Sequence, residues 1–242
     1  MRDEVELMGK KYICGLIVLT AILSLVFSSM SARRVKGMSH QPPADYKLLG
    51  RFRPTFYRIL DESADEWDNS EEATASLLTL DGDLIKRVAP AFKHQLEIEG
   101  SGRLSDRRIV NIERKVDGEA RYSVVRNAPF GLGDHGYKLV PFRTLAVDPQ
   151  IIPLGTVLYL PDLVGIKLPS GEVHDGFVFA HDTGAGIAGN RIDVFVGFEN
   201  DVDNTLTRSR RIEDMRQLEI YQVDDATAAR VNQRFRSQFR SR

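Results

Sequence analysis

Beyond residue 100, apolar residues recur in short runs of four to seven positions, with Gly, Pro, Asp and Asn filling the gaps. The runs cover 108–112, 121–125, 144–147, 156–160, 176–180, 191–196 and 217–223. Many short strands separated by turn-forming residues predict a small β-barrel rather than a sheet of alternating strands and helices. Upstream, 52–60 is apolar and β-rich with Pro54 at its entry, and predicts one more strand. Leu84, Ile85, Val88, Ala91, Phe92 and Leu96 approach helical spacing, so 84–96 predicts a helix with Pro90 as its weak point. The acidic run from Asp61 to Glu72 predicts a solvated loop.

The pattern changes character at the N-terminus. Lys10 and Lys11 precede sixteen uncharged residues, Tyr12 to Phe27, and a small-residue patch (28–32) leads to Arg33-Arg34. A basic start, an apolar run and small residues predict a secretory signal peptide or a retained signal anchor over 1–32. The run is a little short of the roughly 20 residues a membrane span needs, although 28–32 could extend it. Either form predicts export to the periplasm or cell envelope, with membrane attachment if the segment is not cleaved. Residues 33–50 predict a linker, 51–99 an N-terminal extension, 100–224 the barrel, and 225–242 a basic tail.

Composition narrows the chemistry. Lys and Arg number 33 and Asp and Glu 34, a near balance that gives no general attraction to nucleic acid. The single cysteine, Cys14, lies in the apolar run, which excludes an intrachain disulfide framework and a cysteine-based zinc site. His174-Asp175, His181-Asp182 and Asp134-His135 place imidazole beside carboxylate, yet strand neighbours point to opposite faces and no metal-binding spacing is present. These histidines predict turn braces or exposed side chains, with no metal and no cofactor. Gly131-x-Gly133 lacks the strand–helix context of a dinucleotide site and predicts a loop.

Three aspartates carry the candidate chemistry. Asp148 sits in Ala146-Val147-Asp148-Pro149, Asp182 enters Thr183-Gly184-Ala185-Gly186, and Asp193 lies in Arg191-Ile192-Asp193-Val194-Phe195. Strand alternation puts Ile192, Val194, Val196 and Phe198 on a core face, and Asp193 with Arg191 and Phe195 on the other. Partial burial there would raise the pKa of Asp193, as a general acid near neutral pH requires. A strand-edge aspartate paired with Arg191 is the bland alternative. Asp182 and Asp148 are open between bracing turns and assisting at a site.

Taken together, 143–149, Ile152-Pro153-Leu154-Gly155-Thr156, 182–189 and 191–193 resemble the three-aspartate (3D) domain of the membrane-bound lytic murein transglycosylase A family. The resemblance covers roughly 100–223. It implies a six-stranded double-psi β-barrel with flanking helical segments, in a mainly β chain. It also implies cleavage of the MurNAc–GlcNAc β-1,4 bond of peptidoglycan with a 1,6-anhydro end. By strand position it selects Asp193 as catalytic acid with Asp182 and Asp148 in support; Thr183, Gly184, Ala185 and Arg191 are candidate substrate contacts. Gly102-Arg103-Leu104-Ser105-Asp106 resembles the opening of the family's barrel. The large family members have a second domain facing the barrel, for which the 36 residues between Asn111 and Asp148 leave little room.

Two rivals remain. A barrel of this type can bind polysaccharide without cutting it. Asp182-Thr183-Gly184 also matches the aspartic-protease triplet, but the 58 residues after Gly184 offer little room for the flap and second strand such a site needs.

Overall fold

The computed structural model describes residues 41–64, 67, 72–212 and 216–239. The signal or anchor expected over 1–32 lies outside the described residues, as do 33–40 and much of the acidic run. Among the described residues no helix is long and apolar enough to cross a membrane.

The chain is mainly β. Six strands close a barrel in the order β1 (Lys47–Tyr57), β11 (Arg191–Phe195), β8 (Thr144–Ala146), β10 (Phe177–Asp182), β9 (Val157–Tyr159) and β12 (Leu218–Gln222). β1 runs parallel to β11, and β8 parallel to β10, while the remaining neighbours are antiparallel. Closure leaves no exposed edge in the barrel sheet. Its interior holds Phe52, Leu145, Leu158, Val178, Ile192, Val194, Leu218 and Ile220, all at most 1% exposed.

A second six-stranded sheet comes from the middle of the chain. Its order is β2 (Leu60–Asp61), β5 (Ser101–Arg103), β6 (Ile109–Val116), β7 (Glu119–Val125), β3 (Ala75–Leu78) and β4 (Leu84–Val88). Helix α1 (Pro90–Glu99) buries Phe92 and Leu96 against Leu60, Leu77, Val88, Val110 and Tyr122 of this sheet. Ile59, Ile109, Leu139 and Phe195 form a smaller cluster where this sheet meets the barrel.

Several expected boundaries move. The barrel takes its first strand from Lys47–Tyr57, inside the expected linker and extension, because β1 pairs with both terminal-half strands β11 and β12. The 101–125 strands, including Gly102 and Arg103, belong to the second sheet and not to the barrel opening. The expected helix over 84–96 is two elements: β4 pairs with β3, and Pro90 starts α1 at a position where its missing N–H costs nothing. Within the acidic run, Asp61 ends β2 and pairs with Arg103, and Glu62 pairs with Lys86 at 2.6 Å.

After the short helix α2 (Thr205–Arg208) and β12, the basic tail folds as helix α3 (Asp225–Phe239). Val231 and Phe235 pack on Val157, Tyr159 and Phe179 of the barrel. Buried Arg143 donates to Asp175 at 2.8 Å and stacks 4.4 Å over the Phe235 ring, and Arg234 pairs with the same Asp175. Apolar and cation–π contacts therefore dock the tail.

Candidate active site

On β11 the alternation of side chains sends Ile192 and Val194 into the barrel and turns Asp193 outward. Asp193 lies opposite Thr55 of β1 and Ala146 of β8. These two small side chains leave its carboxyl open to a cavity of about 670 Å³. Asp193 Oδ1 is buried and accepts no hydrogen bond. Burial pushes the carboxyl up to about 7, and Glu99 and Asp182 add to the rise; the Thr55 hydroxyl and the Arg191 charge oppose it. The Arg191 guanidinium is held by Thr55 Oγ1 at 3.3 Å and the Gly186 carbonyl at 3.1 Å, with no hydrogen bond to Asp193. Phe195, on the same side of the strand as Asp193, is fully buried in the contact between the two sheets. Phe198, expected on the core face, is 37% exposed because β11 ends at Phe195.

Asp182 ends β10 on the same cavity. Its Oδ2 accepts the Tyr57 hydroxyl at 2.7 Å, and its Oδ1 accepts the Thr183 N–H at 2.9 Å. Burial raises it to about 6; Tyr57, the Thr183 N–H and the Asp134 N–H pull downward, and the Asp134 carboxyl pushes upward. Tyr57 is itself raised well above the ordinary range, by burial first and then by Asp182, so it remains a donor. Thr183, Gly184 and Ala185 line the cavity, and the Thr183 hydroxyl donates to Asp134 Oδ2 at 3.0 Å.

Asp148 does not line the cavity. It accepts the Gln150 N–H in its own turn and the Gly189 N–H of the β10–β11 connection, each at 2.9 Å. These two donors hold its carboxyl below the usual range, Gly189 being the larger influence. Asp148 thus joins the turn after β8 to the turn before β11.

The facing side of the cavity comes from the second sheet and α1: Glu97, Glu99, Ser101, Asn111, Ile112 and Glu113. Glu99 accepts the Arg58 N–H at 3.0 Å and the Gln95 amide at 3.2 Å, and burial raises its pKa. The facing side is built mostly from residues upstream of Asn111, and the interval between Asn111 and Asp148 adds Ile112, Glu113 and the 132–136 segment to the cavity lining.

No motif marks Tyr57, Glu99 or Asn111 as a site residue, and Asp134 stands out in the sequence only as the neighbour of His135. Only Tyr57 carries a local signal, since strand alternation over 52–60 places it on one face with Thr55. The histidines resolve individually. His174 donates from Nε2 to the Phe142 carbonyl and accepts the Gly176 N–H at Nδ1, each at 2.9 Å, and burial lowers its pKa to about 4. His181 stacks on Tyr137 at 3.9 Å. His135 lies 3.0 Å from Asp134. Among the described residues no group of three or more His, Cys, Asp or Glu could hold a metal ion.

Residues 143–215 match the family model of the 3D domain, so the chain carries a 3D domain. The cell wall-binding protein YocH of Bacillus subtilis is 39% identical over 62 residues, which cover 26% of this chain and 17% of YocH. The chain thus spans about a sixth of that relative's length. Escherichia coli MltA with bound chitohexaose superposes over 72% of this chain and 71% of its own, with a TM-score of 0.50 and 12% identity. At that identity the likeness is one of fold.

Proposed function

We propose that this cavity cleaves the MurNAc–GlcNAc β-1,4 bond of peptidoglycan lytically, leaving a 1,6-anhydro-MurNAc end. The observation that carries the reading is Asp193: a carboxyl held up to about 7, with one buried oxygen that no protein group satisfies, facing a cavity walled on both sides. A hydrolytic glycosidase ordinarily uses one carboxyl as acid and another as base or nucleophile. Asp182 shares the cavity, but its two oxygens are already engaged by Tyr57 and Thr183. Asp193 is the cavity carboxyl with a buried, unsatisfied oxygen, and a single such acid suits a reaction in which the sugar supplies its own nucleophile.

In this scheme protonated Asp193 gives its proton to the glycosidic oxygen as the MurNAc C1–O bond breaks. The MurNAc C6 hydroxyl closes on C1, forming the C1–O6 bond, and its proton returns to Asp193. Atoms balance without water, and the acid is regenerated. Asp182, fixed by Tyr57, keeps a second carboxyl close enough to discourage early ionisation of Asp193. Asp148 holds the turns that present both, Thr183, Gly184 and Ala185 contact the sugars, and Arg191 orients Thr55. The two parallel strand pairs of the closed barrel favour the double-psi type. Such a substrate places the protein outside the cytoplasm, in keeping with a signal or anchor over 1–32.

The YocH match favours a second reading, a module that binds wall glycan without cutting it. Purified sacculi incubated with wild type and with Asp193→Asn separate the two. Anhydro-muropeptides from wild type alone support lytic cleavage. New reducing ends mean hydrolysis, and retention on sacculi with no released product means binding.

A further inference from the structure

The Gly131-Leu132-Gly133 run is a strap between the two sheets. Leu132 pairs with Lys138 across a small hairpin, and the Gly133 N–H donates to the Tyr137 carbonyl at 2.8 Å. On one side, Asn111 of β6 grips the strap with both ends of its amide. Nδ2 donates to the Leu132 carbonyl at 2.6 Å, and Oδ1 accepts the Leu132 N–H at 3.0 Å. On the other side the strap lies on the barrel. A Cβ at Gly133 would sit 2.5 Å from the His181 carbonyl oxygen and 3.1 Å from Asp182 Cγ. At Gly131, where φ is +90°, a Cβ would fall 2.7 Å from Asn111 Oδ1. Both glycines are thus demanded by close approach, one to each sheet. Beyond Gly133, the strap delivers the Asp134 N–H to the Asp182 carboxyl and the Asp134 carboxyl to the Thr183 hydroxyl.

We propose that Asn111 is a positioning residue: its amide pins the Gly131–Asp134 strap against the second sheet, and the pinned strap seals and orients Asp182 at the wall of the cavity. One amide then sets both the placement of the second wall against the barrel and the cover over the half-buried carboxyl beside Asp193. Without the clamp the strap lifts, more water reaches the half-buried Asp182, and part of the burial that dominates its elevation is lost, together with the Asp134 charge. The lost Asp134 N–H acts in the opposite direction but is the smaller influence. The geometry stands by itself; only its consequence for turnover rests on the lytic reading.

The test is carboxyl-carbon NMR titration of aspartate-labelled protein, with Asp182 assigned by comparison with Asp182→Asn. Wild type should titrate at Asp182 near 6. Asn111→Ala, which releases the strap from the second sheet, should lower that midpoint by about one pH unit. Gly133→Ala, which pushes the strap off the barrel while leaving the Asn111 amide intact, should move it in the same direction. Amide exchange at Leu132 should be slow in wild type and fast in Asn111→Ala. An unmoved Asp182 midpoint in both variants, with barrel amide spectra intact, overturns the proposal, and so does rapid Leu132 exchange in wild type. On sacculi, Asn111→Ala should lower kcat with KM little changed. If wild type itself releases no anhydro product, the lytic reading falls, while the titration still decides the role of Asn111.

Discussion

Tyr57 donates a 2.7 Å hydrogen bond to Asp182 from the strand that lies beside Asp193. Two residues earlier on that strand, Thr55 is the register partner of Asp193. One short stretch of β1 therefore contacts both cavity aspartates, and it treats them differently: Asp182 receives a strong donor, and Asp193 Oδ1 receives none.

Tyr57→Phe should remove that donor with little change in shape. A hydrogen bond to a charged acceptor contributes about 1.5–3 kcal/mol. Asp182 should then titrate above its wild-type position, because the largest influence lowering it is gone. Anhydro-product formation should fall about three- to tenfold if half of that energy holds the site together. Carboxyl NMR and muropeptide release measure the two effects separately. An Asp182 midpoint that stays in place contradicts the assignment of Tyr57.

Asp193→Asn should lose the reaction by at least about 100-fold, the usual share of a positioned general acid. In wild type, activity should decline as pH rises through about 7, where Asp193 gives up its proton. The stability change has a definite sign. A carboxyl raised from 3.8 to about 7 contributes stability that is fully present below 3.8 and is lost as pH rises through 7. Asparagine does not titrate, so the variant should match wild type near pH 4 and gain on it toward pH 8, by about 4 kcal/mol. Urea melts at both pH values measure this. A gain at acid pH in place of alkaline pH would refute the burial argument.

Asp148→Ala should act on stability more than on acid strength. Its carboxyl is lowered by the Gly189 and Gln150 N–H groups, so its contribution is present above the ordinary carboxylate range and lost as pH falls through the lowered value. The variant should melt earlier at pH 7 and approach wild type at low pH. The alkaline decline of activity should keep its position. A shifted decline would place Asp148 in electrostatic contact with Asp193.

Phe235→Ala should loosen α3. The ring is 5% exposed, meets Phe179 edge-on at 5.5 Å and lies under Arg143 at 4.4 Å and Arg234 at 4.3 Å. Removing a buried phenylalanine costs about 3–5 kcal/mol, and urea unfolding should show a loss at the lower end of that range. A loss below about 1 kcal/mol would mean that the helix is not docked through this ring.

Much of the barrel was legible locally. Short apolar runs with turn residues between them mark β8, β9, β10, β11 and β12, and strand phase alone turns Asp193 away from Ile192 and Val194. The joint spacing of the three aspartate motifs led to the 3D domain. The first barrel strand was misassigned because its partners lie more than 130 positions downstream, as the Arg53–Arg191 pairing shows. The second sheet was hidden for a similar reason. β2 and β5 pair across about 40 residues, and β3 meets β7 only through Leu78 and Arg121.

What depends on neighbours along the chain is readable from the residues alone: the β character, the turns at Asp148 and Asp182, and the phase of Asp193. Packing between distant segments sets which carboxyl is buried, which is satisfied and which faces a cavity. It separated Asp148, saturated by backbone N–H groups, from Asp182 and Asp193, and it brought Tyr57, Glu99 and Asn111 to the same site. The physical reason is that desolvation and hydrogen-bond partnership are properties of the packed surroundings. Those surroundings come from segments far apart in the chain, and no local pattern encodes their approach.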